Sequence, residues 1–93
     1  MPAERFCKDL IIQNKKGLHA RAAAAFVKSI EDIDAKVFVS KGGQTVGGDS
    51  IMGLMMLAAS EGSTIHLQAE GKEASRALEK LTLLIDSKFG EEE

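Results

Sequence analysis

The chain has 93 residues, a formal net charge of −2, four Phe and neither Trp nor Tyr. That length suits one domain, spanning 1–93, and leaves no room for a two-domain enzyme with an interdomain cleft. The acidic balance and the lack of aromatic stacking platforms argue against nucleic-acid binding.

The run from Phe6 to Ile12 reads as a strand, stopped by the polar turn Gln13-Asn14-Lys15-Lys16-Gly17. Cys7 is the only cysteine, so no internal disulfide can form. Its apolar surroundings predict a buried small hydrophobe. Ala23, Phe26, Val27 and Ile30 recur at helical spacing and predict an amphipathic helix over 20–31. Residues 35–39 alternate like a strand, Gly42-Gly43 marks a hairpin turn, and 44–46 form the return strand. Asp49-Ser50 can cap a short apolar helix over 51–57. Residues 64–69 alternate cleanly, which predicts a strand with one wet face and His66 pointing outward. Ala74, Ala77, Leu78, Leu81, Leu84, Ile85 and Phe89 form one stripe of a last helix that Gly90 ends. The final Glu91-Glu92-Glu93 is expected to be a disordered acidic tail.

The order β-α-β-β-α-β-α predicts an α+β sandwich, one antiparallel sheet of four strands with three helices on one face. No signal-peptide h-region and no apolar run long enough to span a membrane occur, so a cytoplasmic protein without membrane insertion is expected. The first thirty residues carry a balance of +4 and the rest −6. A positive first third suits an anionic ligand or an acidic partner surface.

His19 is the most informative side chain. It stands at the predicted start of the first helix, where Ser, Thr, Asp or Asn are the favoured caps. Helix-start amides lack intrahelical acceptors and the macrodipole is positive there. That field favours a neutral, nucleophilic imidazole over imidazolium. The amides of Ala20, Arg21, Ala22 and Ala23 could cradle a phosphate, and the Arg21 guanidinium could clamp it. His66 and Cys7 have no ligand-like spacing with His19, so no metal site is expected.

Gly17-Leu18-His19-Ala20-Arg21, followed by Ala22-Ala23, resembles the active-site motif of the HPr family, the histidine phosphocarriers of the phosphoenolpyruvate-dependent phosphotransferase system. Asp49-Ser50-Ile51-Met52-Gly53-Leu54-Met55 resembles that family's regulatory-serine segment. The element order agrees, the resemblance spans about residues 5–89, and it implies the family's fold, an open-faced β-sandwich of four antiparallel strands and three helices. It implies that His19 takes a phosphoryl group on Nδ1 from enzyme I and passes it to a histidine of an EIIA-type protein, with Arg21 helping to hold it. It implies no cofactor and no magnesium in the carrier steps. A carrier of this kind is a monomer and is itself the substrate of two transfers, not a turnover enzyme. The resemblance further implies phosphorylation of Ser50 by an HPr kinase/phosphorylase.

Three departures stand out. Ala22 replaces the usual proline, so the first helical turn loses pre-organisation and gains an amide donor. Lys16 stands where some members have Asn or Ser, removing a side chain that could orient His19. The chain also continues past the last helix to Glu93.

Ile51, Met52 and Met55 cannot all face inward from one short helix. With Ala20, Ala24 and Lys28 they could form a docking patch around His19, where flexible Met suits several partners. Two other classes compete. A regulatory adaptor would bind partners by phosphorylation state. An acyl carrier would use Ser50, but the strand signals speak against that family's helical bundle.

Overall fold

The computed structural model describes residues 5–91. Its elements are β1 (Arg5–Ile11), α1 (Ala20–Ile30), β2 (Lys36–Lys41), β3 (Gln44–Gly47), α2 (Ile51–Met56), β4 (Thr64–Glu70) and α3 (Ala74–Asp86), then a short 3-10 turn, Lys88–Gly90. The strands form one antiparallel sheet in the order β1-β4-β2-β3. The α+β sandwich expected from the sequence is the observed fold, and the sheet is incompatible with a helical-bundle carrier.

Strand alternation decides which sheet face is covered. Leu10, Val37, Val39, Ile65, Leu67 and Ala69 are buried, whereas Asp9, Thr64 and His66 are exposed. Against the apolar face α3 packs on β1 and β4, α1 packs on α3, and α2 lies between α1 and β3. Phe26 of α1 and Leu54 of α2 are wholly buried in this core. The opposite face of the sheet is open.

Cys7 corrects one expectation, because it is exposed. It pairs with Gln68 on the open face of an edge strand in which only Leu10 is buried. Its apolar neighbours Phe6 and Ile11 are themselves exposed, so they signalled no burial.

The last helix is also shorter than its hydrophobic stripe. It ends at Asp86, with Ser87 Oγ donating to the Leu84 carbonyl at 3.0 Å. Lys88, Phe89 and Gly90 then turn left-handed, with φ of 59°, 57° and 78°. Phe89 still packs against the core, but from a turn. Helical periodicity cannot tell these two placements apart.

The tail expectation fails at Glu91, which is anchored by its carboxylate to His19 and Asn14. Glu92 and Glu93 lie outside the described residues. Among the described residues no helix is long and apolar enough to cross a membrane.

Candidate functional site

The loop between β1 and α1 is stitched to the segment after α2. The Ile12 amide donates to the Ser63 carbonyl and the Gly62 amide to the Ile12 carbonyl, both at 2.9 Å. The Leu18 amide donates to the Ala59 carbonyl at 2.9 Å, and Leu18 itself is buried. Gly17 turns left-handed at φ +67°, and a Cβ there would lie 2.3 Å from the Ala59 oxygen. Glycine is required both for that backbone conformation and for the close approach.

This framework delivers His19 to the N-cap of α1 in extended backbone conformation, φ −79° and ψ 179°. Its side chain makes no cap hydrogen bond. Instead the ring Nε2 lies 2.6 Å from Glu91 Oε2. Glu91 Oε1 accepts from Asn14 Nδ2 at 3.1 Å, and the same amide nitrogen donates to the Gly17 carbonyl at 2.8 Å. Asn14 is completely buried. The orienting partner of His19 is therefore position 91, held by position 14, and not position 16.

The contact constrains the ring's chemistry. A carboxylate only accepts, so in the neutral imidazole the proton sits on Nε2 and the free lone pair on Nδ1. This tautomer follows from the hydrogen-bond network. The hydrogen bond from His19, assisted by that from Asn14, holds the Glu91 carboxyl below the ordinary carboxylate range despite the opposing effect of burial. Glu91 thus stays anionic beside the ring.

The backbone cradle is smaller than expected. The Ala23 amide donates to the His19 carbonyl at 2.8 Å as the first intrahelical bond, which removes it from the donor set. The Ala20, Arg21 and Ala22 amides have no backbone acceptor, but Ala22 is fully buried. Ala20 and Arg21 are exposed residues, which leaves their two amides as the candidate donors for an incoming anion. The Arg21 side chain makes no ion pair among the described residues.

Beside His19 lies a shallow hollow of about 220 Å³, lined by Lys16, Leu18, Ala58, Ala59 and Ser60. A larger groove of about 410 Å³ runs past Val27, Ile30 and Phe38 at the far end of α1, and neither His19 nor Arg21 lines it. The open hollow suits chemistry between two docked proteins better than capture of a small molecule.

Ser50 caps α2, its Oγ accepting from the Gly53 amide at 2.9 Å. Ile51, Met52 and Met55 are all exposed, as are Ala20, Ala24 and Lys28 on α1. Since α1 and α2 pack together, these residues lie on adjoining helices. Met56, 65% exposed, extends the apolar surface and was missed because its spacing is equally that of core filling. His66 pairs with Asp9 at 2.6 Å on the open sheet face, remote in the fold from the α1 N-terminus. Among the described residues, no group of three or more His, Cys, Asp or Glu could hold a metal ion.

Asn14 and Glu91 are the site residues that sequence reasoning missed. Asn14 looked like an ordinary turn residue. For Glu91 the one available signal was Gly90, read as a helix stop when it also turns the chain back.

The family model described as the PTS HPr component phosphorylation site matches residues 6–87. The phosphocarrier protein HPr of a Neisseria meningitidis serogroup A strain is 46% identical over 82 residues, covering 88% of this chain and 92% of the relative. The crystal structure of HPr-C-His from Thermoanaerobacter tengcongensis superposes with a TM-score of 0.90 at 42% identity, covering 95% of this chain and 99% of that one. A crystal structure of an HPr dimer from the same organism gives 0.74 at 44% identity, covering 88% and 94%.

Proposed function

The chain belongs to the HPr family of the phosphotransferase system, and on that premise we propose that His19 accepts a phosphoryl group on Nδ1 from phospho-enzyme I and donates it to a histidine of an EIIA-type protein. The observation that carries this reading is the ring geometry. Nε2 is occupied by Glu91, which leaves Nδ1 as the nucleophile at the positive end of α1. The Ala20 and Arg21 amides and the Arg21 guanidinium supply donors for the incoming charge. Catalysis then rests on positioning and electrostatics between two docked proteins, with no cofactor.

Partner docking is assigned to Ala20, Ala24 and Lys28 of α1 with Ile51, Met52, Met55 and Met56 of α2. An apolar patch ringed by a cation and next to Arg21 fits partners that must bind briefly and leave. The protein works as a single domain, a cytoplasmic monomer in this reading. Ser50 is the regulatory position. A phosphate on it favours the α2 N-terminus but sets a dianion inside the docking patch, where it opposes an acidic partner.

Intact mass after incubation with phosphoenolpyruvate and enzyme I tests the assignment. The wild-type chain gains one acid-labile phosphate and His19→Ala gains none. Equal labelling of both chains, or none of either with a demonstrably active enzyme I, defeats it.

A further inference from the structure

The charge carried by the imidazole through a transfer cycle is set by elementary bookkeeping of bonds. In the neutral ring Nε2 bears the proton and Nδ1 the lone pair. When Nδ1 attacks phosphorus, a P–N bond forms to His19 and the donor's P–N bond breaks. His19 then carries a phosphoryl group on Nδ1 and a proton on Nε2, so the ring is cationic. When an acceptor nitrogen attacks, the P–Nδ1 bond breaks and its electron pair returns to Nδ1. With the Nε2 proton in place the leaving group is a neutral imidazole. Without that proton it is an imidazolate, a far poorer leaving group.

The described structure places one carboxylate in hydrogen-bond contact with this ring. Glu91 Oε2 lies 2.6 Å from Nε2, and its other oxygen is held by the buried Asn14 amide. The Glu91 side chain is only 16% exposed and that of His19 27%. The chain reaches this position through three consecutive left-handed residues, two of them not glycine. Such backbone persists only when surrounding contacts over-determine it. The contacts found are Phe89 against the core and Glu91 against Asn14 and His19.

Building on the carrier reading, we propose that Glu91 is a positioning residue for phosphoryl transfer: it fixes the Nε2–H tautomer, stabilises the cationic phosphohistidine ring, and keeps a neutral imidazole as the leaving group. The carboxylate never contacts phosphorus. It acts through the ring nitrogen that faces away from the bond being made, so its charge does not meet the phosphoryl group head-on. The arrangement parallels a carboxylate that orients a catalytic histidine through its second nitrogen.

The test uses the full chain, with Glu91→Gln and Glu91→Ala. Nitrogen-15 NMR of the unphosphorylated proteins reads the ring tautomer directly. The wild type is expected to show a protonated Nε2, and both variants a shift toward a tautomer mixture. Rapid-quench transfer from the phosphorylated chain to an EIIA protein is expected to slow by about ten- to a hundredfold in both variants. Circular dichroism confirms that both remain folded. Unchanged tautomer signals, or unchanged transfer rates in both variants, overturn the proposal. If the wild type takes phosphate from enzyme I while the variants match it throughout, only the Glu91 assignment fails. If the wild type takes none, the carrier reading fails first.

Discussion

Ala22 occupies the third position of α1 and has no exposed surface. Its amide lacks a backbone acceptor, yet lies out of reach of an incoming anion. The donor gained by having alanine here is therefore idle, and what matters is the stiffness of the first turn. Proline fixes φ near the helical value and restricts the unfolded chain, an effect worth about 0.4–1 kcal/mol where the backbone is compatible. If that stiffness holds the Ala20 and Arg21 amides in place, Ala22→Pro speeds phosphoryl transfer by about two- to fivefold. Stopped-time transfer assays decide this, and an unchanged or slower rate sinks it. At this scale the motif around His19 was readable because its partners in the motif are neighbours in the chain. Asn14 was not, because a buried asparagine and a turn asparagine look alike. Glu91 was hidden for a different reason: its meaning depends on three left-handed residues that no periodicity encodes.

Elements were read well where one face is apolar and the other wet. The helix α1 and the strand β4 keep such patterns along their whole length, so their spans differ from expectation by one residue at most. The start of α3 shows a subtler device. The side chain of Glu73 at its N-cap makes no cap hydrogen bond to the helix amides. It accepts the Asp34 amide at 2.8 Å and the Arg76 guanidinium at 2.9 Å, tying α3 to the turn before β2. The Asp34 amide, then Arg76, hold the Glu73 carboxyl below its ordinary value of 4.5. A carboxyl with a lowered folded pKa contributes stability above its unfolded pKa and loses it as pH falls through the folded value. Glu73→Gln is thus expected to unfold at lower urea than the wild type at about pH 7, with the gap closing as pH falls through the lowered folded pKa. A gap that is constant with pH argues that the loss is one of packing and not of charge.

For the whole molecule, the decisive position is where two loops touch. A methyl group on Gly17 would meet the Ala59 oxygen at 2.3 Å and the Ser60 Cα at 2.9 Å, both backbone atoms. Side chains can rotate away from a clash, but here a loop must move. Adding the left-handed penalty to this overpacking, Gly17→Ala is expected to lose about 2–5 kcal/mol. Gly42→Ala is the control, since it also has positive φ but its Cβ meets nothing within 4 Å. It is expected to lose only about 1–2 kcal/mol. Thermal melts compare the two, and equal losses would show that the stitch is slack. The architecture was legible from the order of elements. The stitch was not, since nothing in a local pattern says which loops meet.

That stitch also sets an order of events in folding. Helix α1 needs only near neighbours and forms within about a microsecond. Leu18 and Ile12, however, find their partners in a segment dozens of positions later, and β1 must wait for β4. Closing such distant segments is the slow part of forming a sheet. A half-folded chain therefore owns its histidine early but aims it late. Readiness to carry charge arrives together with the completed topology, so phosphate uptake doubles as a census of fully folded molecules in a refolding mixture.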